Sequence, residues 1–362
     1  MLNVAFLTDA PRVAGSEVWL LSVLPGLLEL GIRPAVFLPA HAALDELAAR
    51  MEVAGLPVTR FTALTELPTL TRDFDLRVMQ VWDAGTYAKL LPTLAAPRWV
   101  MVHDQLEYHY PLGLRPWYRQ VYRSTKGPGL RRADGVITVS NWGEAFLRAQ
   151  FKVEAAYVPN GVDTERYRPR PEAERQALRA DFGFTRFTVL VPGRMAPEKN
   201  QLAALRTARL ARELEFVFVG DMDSPLGLLI QRLKTLWRLD NVRLLGKRWD
   251  MPELCAAADA LLQPTLAENQ SLVTLEAMAS GLLVVSSAIP AQAELITDGV
   301  DGLLLPPVPD LLARALRFLA SRPDVARRLG QAARERVLRE HTLSATAAAL
   351  APLLQRAANR LD

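Results

Sequence analysis

Two glutamates, Glu268 and Glu276, stand with seven residues between them in the segment LLQPTLAENQSLVTLEAMASGLLVV. Glu276 falls inside an apolar run, Leu272 to Ala279, that must pack on a sheet if it is helical, so a carboxylate there calls for a purpose. If Gln263 ends a strand and Ser271 caps the following helix, Glu268 occupies the turn at the carboxyl end of the sheet, where open α/β sheets bind ligands. The backbone N–H groups of Ser271, Leu272 and Val273 then face the same crevice and suit an anion. Acids and helix start together fit a ligand with both hydroxyls and phosphates. The plain alternative is a solvated loop acid followed by an ordinary helix-surface one.

Upstream, VLVPGRMAPEKNQ sets Arg194 and Lys199 five apart, after a buried-looking strand and before a helix. Two cations there suit a diphosphate, since arginine offers a bidentate fork, lysine a point charge, and both stabilise negative charge on a departing nucleoside diphosphate. Gly193 allows the close turn. A lysine that merely pairs with Glu198 or caps a helix is the competing reading. His103, placed before Asp104 at another strand's carboxyl end, is a third candidate. His109, six residues on, lines the same crevice or is a plain loop residue.

The strings GRMAPEKN, ADALLQPTLAEN and LEAMASGLLVV, in this order and at these distances, resemble the donor-binding half of the retaining glycosyltransferases of family four, which have the two-Rossmann GT-B fold. The first half is similar more weakly, through the loop with Gly15, Ser16 and Glu17, then MVHD, ADGVITVSN and VPNGVD. The resemblance implies that Arg194 and Lys199 bind the donor pyrophosphate, that Glu268 contacts the transferred sugar and that Glu276 contacts the ribose. It implies further that His103 faces the sugar across the cleft and that Gly15, with Ser16, lies nearest the phosphates. The implied catalytic set is therefore His103, Arg194, Lys199 and Glu268; Gly15, Ser16, Gly193, Ser271, Leu272, Val273 and Glu276 bind the donor.

The implied partners are a UDP- or GDP-linked sugar and a hydroxyl acceptor, with no cofactor. Cations already line the donor pocket, so a magnesium ion is not required. His103, Asp104 and His109 lack a well-spaced further ligand, so no metal is expected. Two departures from the family pattern stand out. Asn269, Gln270 and Ser271 replace a glycine-aromatic-glycine run, so side chains rim the sugar pocket. Ala14 precedes Gly15 where two glycines are common. A non-catalytic sugar-nucleotide-binding subunit of the same fold is the alternative function, followed by a sugar-nucleotide epimerase or a glycan phosphorylase.

Elements that position these residues are legible throughout. Short Val/Ile/Leu/Phe-rich runs alternate with longer amphipathic ones, the pattern of an α/β chain with parallel sheets. Strands are expected at 3–8, 33–38, 58–62, 77–81, 99–103, 135–139 and 155–158, then at 187–191, 215–219, 242–245, 260–263, 282–286 and 302–304. The charged, proline-bearing stretch between 160 and 186 carries the boundary. We expect an N-terminal acceptor domain over 1–170, a donor-binding domain over 171–340, both Rossmann-like and facing across a cleft, and a C-terminal helix over 341–362 that caps its own domain or crosses back to the first.

Composition sets the limits. At 362 residues the chain has room for about two domains of roughly 150 residues each. Its 43 Lys plus Arg against 39 Asp plus Glu leave a net charge of only +4, too little for a nucleic-acid field. The single Cys255 excludes an intramolecular disulfide and a cysteine metal cage. No export signal or span of ~20 apolar residues is visible, which reads as cytoplasmic, with contact at the inner face of the cell membrane the only membrane role. One stretch bears on that contact. Arg115, Arg119, Arg123, Lys126, Arg131 and Arg132 follow one another without an acid, interleaved with Trp117, Tyr118 and Tyr122. It is either a solvated face or a surface for an anionic acceptor or a membrane carrying a lipid-linked one.

Overall fold

All thirteen expected strands form, within a residue or two at their ends, in a computed structural model that describes residues 1–359. They are β1 (Leu2–Thr8), β2 (Ile32–Pro39), β3 (Val58–Phe61), β4 (Leu76–Gln80), β5 (Arg98–Val102), β6 (Gly135–Thr138) and β7 (Ala156–Tyr157). The second half supplies β8 (Thr188–Pro192), β9 (Glu215–Val219), β10 (Val242–Leu244), β11 (Ala260–Gln263), β12 (Leu283–Ser287) and β13 (Leu303–Leu305). Among the described residues they build two sheets, ordered β3-β2-β1-β4-β5-β6-β7 and β10-β9-β8-β11-β12-β13, with parallel pairing throughout. Strands such as TVLVP and EFVFV are buried along their whole length, because helices cover both faces of a parallel sheet. In each sheet the order reverses beside its first strand, at β1/β4 and at β8/β11. That reversal is the topological switch point, where loops diverge and leave a crevice.

The chain divides into two compact units. The first comprises Met1–Glu107, Leu112–Gly161 and the chain from Leu343 onward; the second comprises Tyr108–Pro111 and Val162–Thr342. The division after Gly161 falls earlier than the boundary drawn at 170. The charged stretch beyond it is not a bare linker. It forms the helix Glu172–Phe182, which Arg175 and Arg179 fasten to the second sheet through Asp259, at 2.5 and 2.9 Å.

In the first unit the helix Leu343–Ala358 lies against the segment Leu24–Leu30, burying Ala347, Leu350, Ala351, Leu354 and Ala357. Thr346 Oγ1 donates to the Pro159 carbonyl at 2.8 Å, and Gln355 Nε2 to that of Leu30 at 3.3 Å. The last three residues of the expected C-terminal helix, 360–362, lie outside the described residues. In the second unit the long helix Pro323–Glu340 crosses the C-terminal end of the helix Leu272–Ala279. Gly330 makes this possible, since a side chain there would meet the Gly281 carbonyl at 2.1 Å. Arg334 secures the crossing by donating to the carbonyls of Tyr167, at 3.1 Å, and Ala279.

Candidate active site

At the second switch point the loops after β8 and β11 leave side by side. Gly193 follows β8 with φ at +134°, a backbone that favours glycine, and donates its N–H to the Val219 carbonyl at 2.9 Å. The loop it opens returns Lys199 to the turn after β11, where its ammonium pairs with Glu268 Oε1. Gln263 Nε2 donates to the same oxygen at 2.9 Å. Glu268 is only 4% exposed, so two donors on one oxygen, one of them charged, offset much of the cost of burying its charge. Gln263 also spans to the next helix: Nε2 donates to Ser271 Oγ at 2.9 Å and Oε1 accepts from Thr274 Oγ1 at 2.6 Å. Ser271 Oγ in turn caps the helix by accepting the Thr274 N–H at 3.3 Å. The N–H groups of Leu272 and Val273 belong to the first turn, which has no intrahelical acceptors to offer them, and suit an anion.

Arg194 does not share that acid. Its guanidinium pairs with Glu198, which is 6% exposed, while its carbonyl accepts from Gln201 Nε2 at 2.6 Å. Glu198 and the turn before Glu268 are joined through the backbone, since the Glu198 carbonyl accepts from Thr265 Oγ1 at 2.9 Å and Leu266 N at 2.6 Å. Lys199, Glu268 and Ser271 thus form one connected network, and Arg194 adjoins it through Glu198. Glu276 keeps different company. It lies further along its helix, where burial pushes its carboxyl up to about 7 against the hydrogen bond from Tyr167 and the charge of Arg166. Buried Cys255 sits near it, its thiol pushed up by burial first and by the Glu276 charge second.

In the first unit, Gly15 and Ser16 open the helix Gly15–Val23 beyond the β1 loop. Behind them Glu17 is fully buried and accepts from Thr8 Oγ1 at 3.1 Å, Ala14 N at 3.2 Å, Ser16 Oγ at 2.9 Å and the Trp82 side chain. Asp9 ties the same loop to the one after β4, accepting from Trp82 N at 2.6 Å and Thr86 Oγ1 at 2.5 Å. His103 follows β5 with its ring 5.2 Å from that of Trp19; its Nε2 is shut from solvent with no hydrogen-bond partner. Burial lowers its pKa to about 4, despite the neighbouring Asp104 charge, so the imidazole is neutral near pH 7. Asp104 itself is taken up by Lys126, at 2.5 Å, and Tyr122, at 3.0 Å.

Several of these residues escape sequence reasoning. Arg115 and Arg119 are not free cations, because both converge on buried Glu107, at 2.9 and 2.5 Å. Burial raises the Glu107 carboxyl, but the two guanidiniums outweigh it and hold it below the ordinary range. The acid stands just upstream of the basic run, where no helical spacing links it to its partners. Gln263 did carry a signal, an amide closing an apolar strand. Tyr167 carried none. Among the described residues no group of three His, Cys, Asp or Glu could hold a metal ion, and no helix is long and apolar enough to cross a membrane.

Doubly wound sheets of this order, met twice in one chain, define the GT-B architecture. Anabaena HepE in complex with UDP and glucose matches it with a TM-score of 0.84 over 98% of this chain and 100% of its own, at 21% identity. The model of Glycosyltransferase Family 4 matches residues 13–166, and that of Glycosyl transferases group 1 matches residues 186–322. The chain belongs to the family 4 glycosyltransferases. EpsD of Bacillus subtilis (strain 168) is 31% identical over 189 residues, 49% of each chain. The UDP-Gal:alpha-D-GlcNAc-diphosphoundecaprenol alpha-1,3-galactosyltransferase of Escherichia coli is 31% identical over 170 residues, 42% of this chain and 41% of that enzyme. The chain therefore spans about half the length of these curated relatives, or less.

Proposed function

We propose that the chain is a retaining hexosyltransferase that moves a sugar from a UDP- or GDP-linked donor to the hydroxyl of a glycan, a lipid-linked glycan or a small molecule. The observation that carries this reading is the Lys199–Glu268 pair at the second switch point, beside Arg194 and a capped helix start. Arg194, Lys199 and the N–H groups of Leu272 and Val273 take the diphosphate charge as the bond from sugar C1 to phosphate oxygen breaks. The acceptor oxygen bonds to C1 from the same face, and a leaving phosphate oxygen receives its proton. Glu268 holds sugar hydroxyls, Glu276 the ribose, and Gly15 and Ser16 approach the phosphates. The neutral His103 imidazole, just after β5, serves the sugar as a hydrogen-bonding group. HepE was solved with UDP and glucose, and the Escherichia coli relative is named for UDP-Gal, which favours uracil over guanine. Exposed apolar side chains on the helix Arg115–Thr125 support an acceptor held at an anionic bilayer surface.

A thermal-shift panel of nucleoside diphosphates and their sugars identifies the donor, and acceptor screening follows. Lys199→Ala is then expected to slow turnover by about 100-fold or more. Near-wild-type transfer by that variant sinks the assignment. Wild-type protein that binds nucleotide, yet neither transfers nor hydrolyses any donor, is instead the non-catalytic subunit.

A further inference from the structure

Glu198 is the residue for which the reaction above has no task. A carboxylate beside a guanidinium meant for a diphosphate offsets part of the arginine's charge, so electrostatics alone argues against placing it there. Its surroundings supply another reason. One carboxylate oxygen takes the Arg194 guanidinium, and the other takes the Tyr108 hydroxyl at 3.3 Å. Tyr108 is 90 residues away in sequence, yet the segment Tyr108–Pro111 belongs to the second unit. That segment is seated on the turn before Glu268, where His109 N donates to the Leu266 carbonyl at 2.8 Å. Leu266 N and Thr265 Oγ1 meanwhile donate to the Glu198 carbonyl, at 2.6 and 2.9 Å. Glu198 is thus the joint of three segments: the cation loop after β8, the turn after β11, and an excursion from the first half of the chain.

We propose that Glu198, braced by Tyr108, is a positioning residue that aims the Arg194 fork at the donor diphosphate and fixes it relative to the turn carrying Glu268. This rests on the donor site proposed above. A guanidinium binds phosphate oxygens in a directed, bidentate way, so its orientation matters as much as its charge. Misplacing such a group by about 1 Å can cost about 100-fold in rate. Tyr108 acts only through Glu198, and its contribution vanishes when Glu198 is gone.

The test is a double-mutant cycle on the full chain, using UDP-glucose, or GDP-glucose if GDP gives the larger thermal shift. Glu198→Ala is expected to lower kcat about 10- to 100-fold with little change in donor KM, and Tyr108→Phe to lower it by about half a decade or more. Adding Tyr108→Phe to Glu198→Ala should then cost nothing further. Glu198→Gln, which keeps an acceptor for Arg194, should recover most of the activity; if the alanine variant does not fold, Glu198→Met, of similar length but with no acceptor, takes its place in the cycle. Additive losses, tighter donor binding with unimpaired kcat in Glu198→Ala, or wild-type rates in both single variants overturn the positioning role while leaving the donor site intact. Wild-type protein that neither binds UDP or GDP nor turns over either sugar nucleotide overturns the donor site itself.

Discussion

Glu17 is the most thoroughly enclosed acid in the first unit and the one whose ionisation most directly shapes the loop at Gly15. Burial pushes its pKa up to about 7, opposed by the hydrogen bonds from Ser16, Thr8 and Trp82. An acid whose folded pKa lies above its ordinary 4.5 holds its proton more firmly in the folded state. Its contribution to stability is therefore full at acidic pH and is lost as pH climbs through about 7; Glu276 acts in the same direction. For a fully buried group, a shift of this size corresponds to a swing on the order of 3 kcal/mol. Glu17→Gln is expected to flatten the fall in Tm between pH 5 and pH 8 relative to wild type. Equal slopes for the two proteins would show that the carboxyl does not change its charge in that range. Residue types were legible in the sequence, as the acids at 268 and 276 and the cations at 194 and 199 attest. Their partners were not, because Glu198 meets Tyr108, and Lys199 meets Glu268, only through turns whose paths no local pattern encodes.

Elements were more legible than contacts, and for a physical reason. A parallel strand buried on both faces must be a short, nearly continuous apolar run, so FVFV and LLVV announce themselves. The helix Arg115–Thr125 shows the limit of that logic. Its sequence displays cations spaced along one face, but Glu107 absorbs Arg115 and Arg119, and Asp104 absorbs Lys126. What the first unit presents to solvent is a stripe of Leu114, Trp117 and Val121, exposed by 46%, 60% and 40%, with Arg123 on the same helix. Apolar side chains flanked by exposed cations match a bilayer with anionic headgroups, and the charge lost to Glu107 shifts the burden onto the apolar contacts. The protein should therefore sediment with phosphatidylglycerol vesicles in preference to phosphatidylcholine ones. Trp117→Ser with Arg123→Glu removes a large apolar anchor, worth about 1.5–3 kcal/mol, and about 1 kcal/mol per cation, so partitioning should fall at least tenfold. Indifference to headgroup charge, or an unchanged double variant, leaves the stripe an ordinary solvated face.

At the scale of the whole molecule, the chain is discontinuous in both units. The second unit is inserted into the first, which is completed only by the helix Leu343–Ala358. The Ala/Leu-rich tail TLSATAAALAPLLQ announced a helix, but its place could not be read, since an apolar face of small residues fits many surfaces. The structure lays it on Leu24–Leu30, with the Ala347 methyl in van der Waals reach of Gly26. Leu350 and Leu354 are fully buried there. Truncating each to alanine should cost about 2–5 kcal/mol, and a domain's whole stability is about 5–15 kcal/mol. Leu350→Ala with Leu354→Ala thus approaches the limit of the first unit, and a chain ending at Thr342 passes it. Because the second unit keeps its own two hydrophobic clusters without any residue beyond Thr342, the loss should be selective. Limited proteolysis of the shortened chain should degrade the segment before Gly161 and leave a protected core from about Val162 to Thr342. Equal protection of both halves would mean that the first unit is stable without its last helix, and the helix would then be an accessory to the fold rather than a part of it.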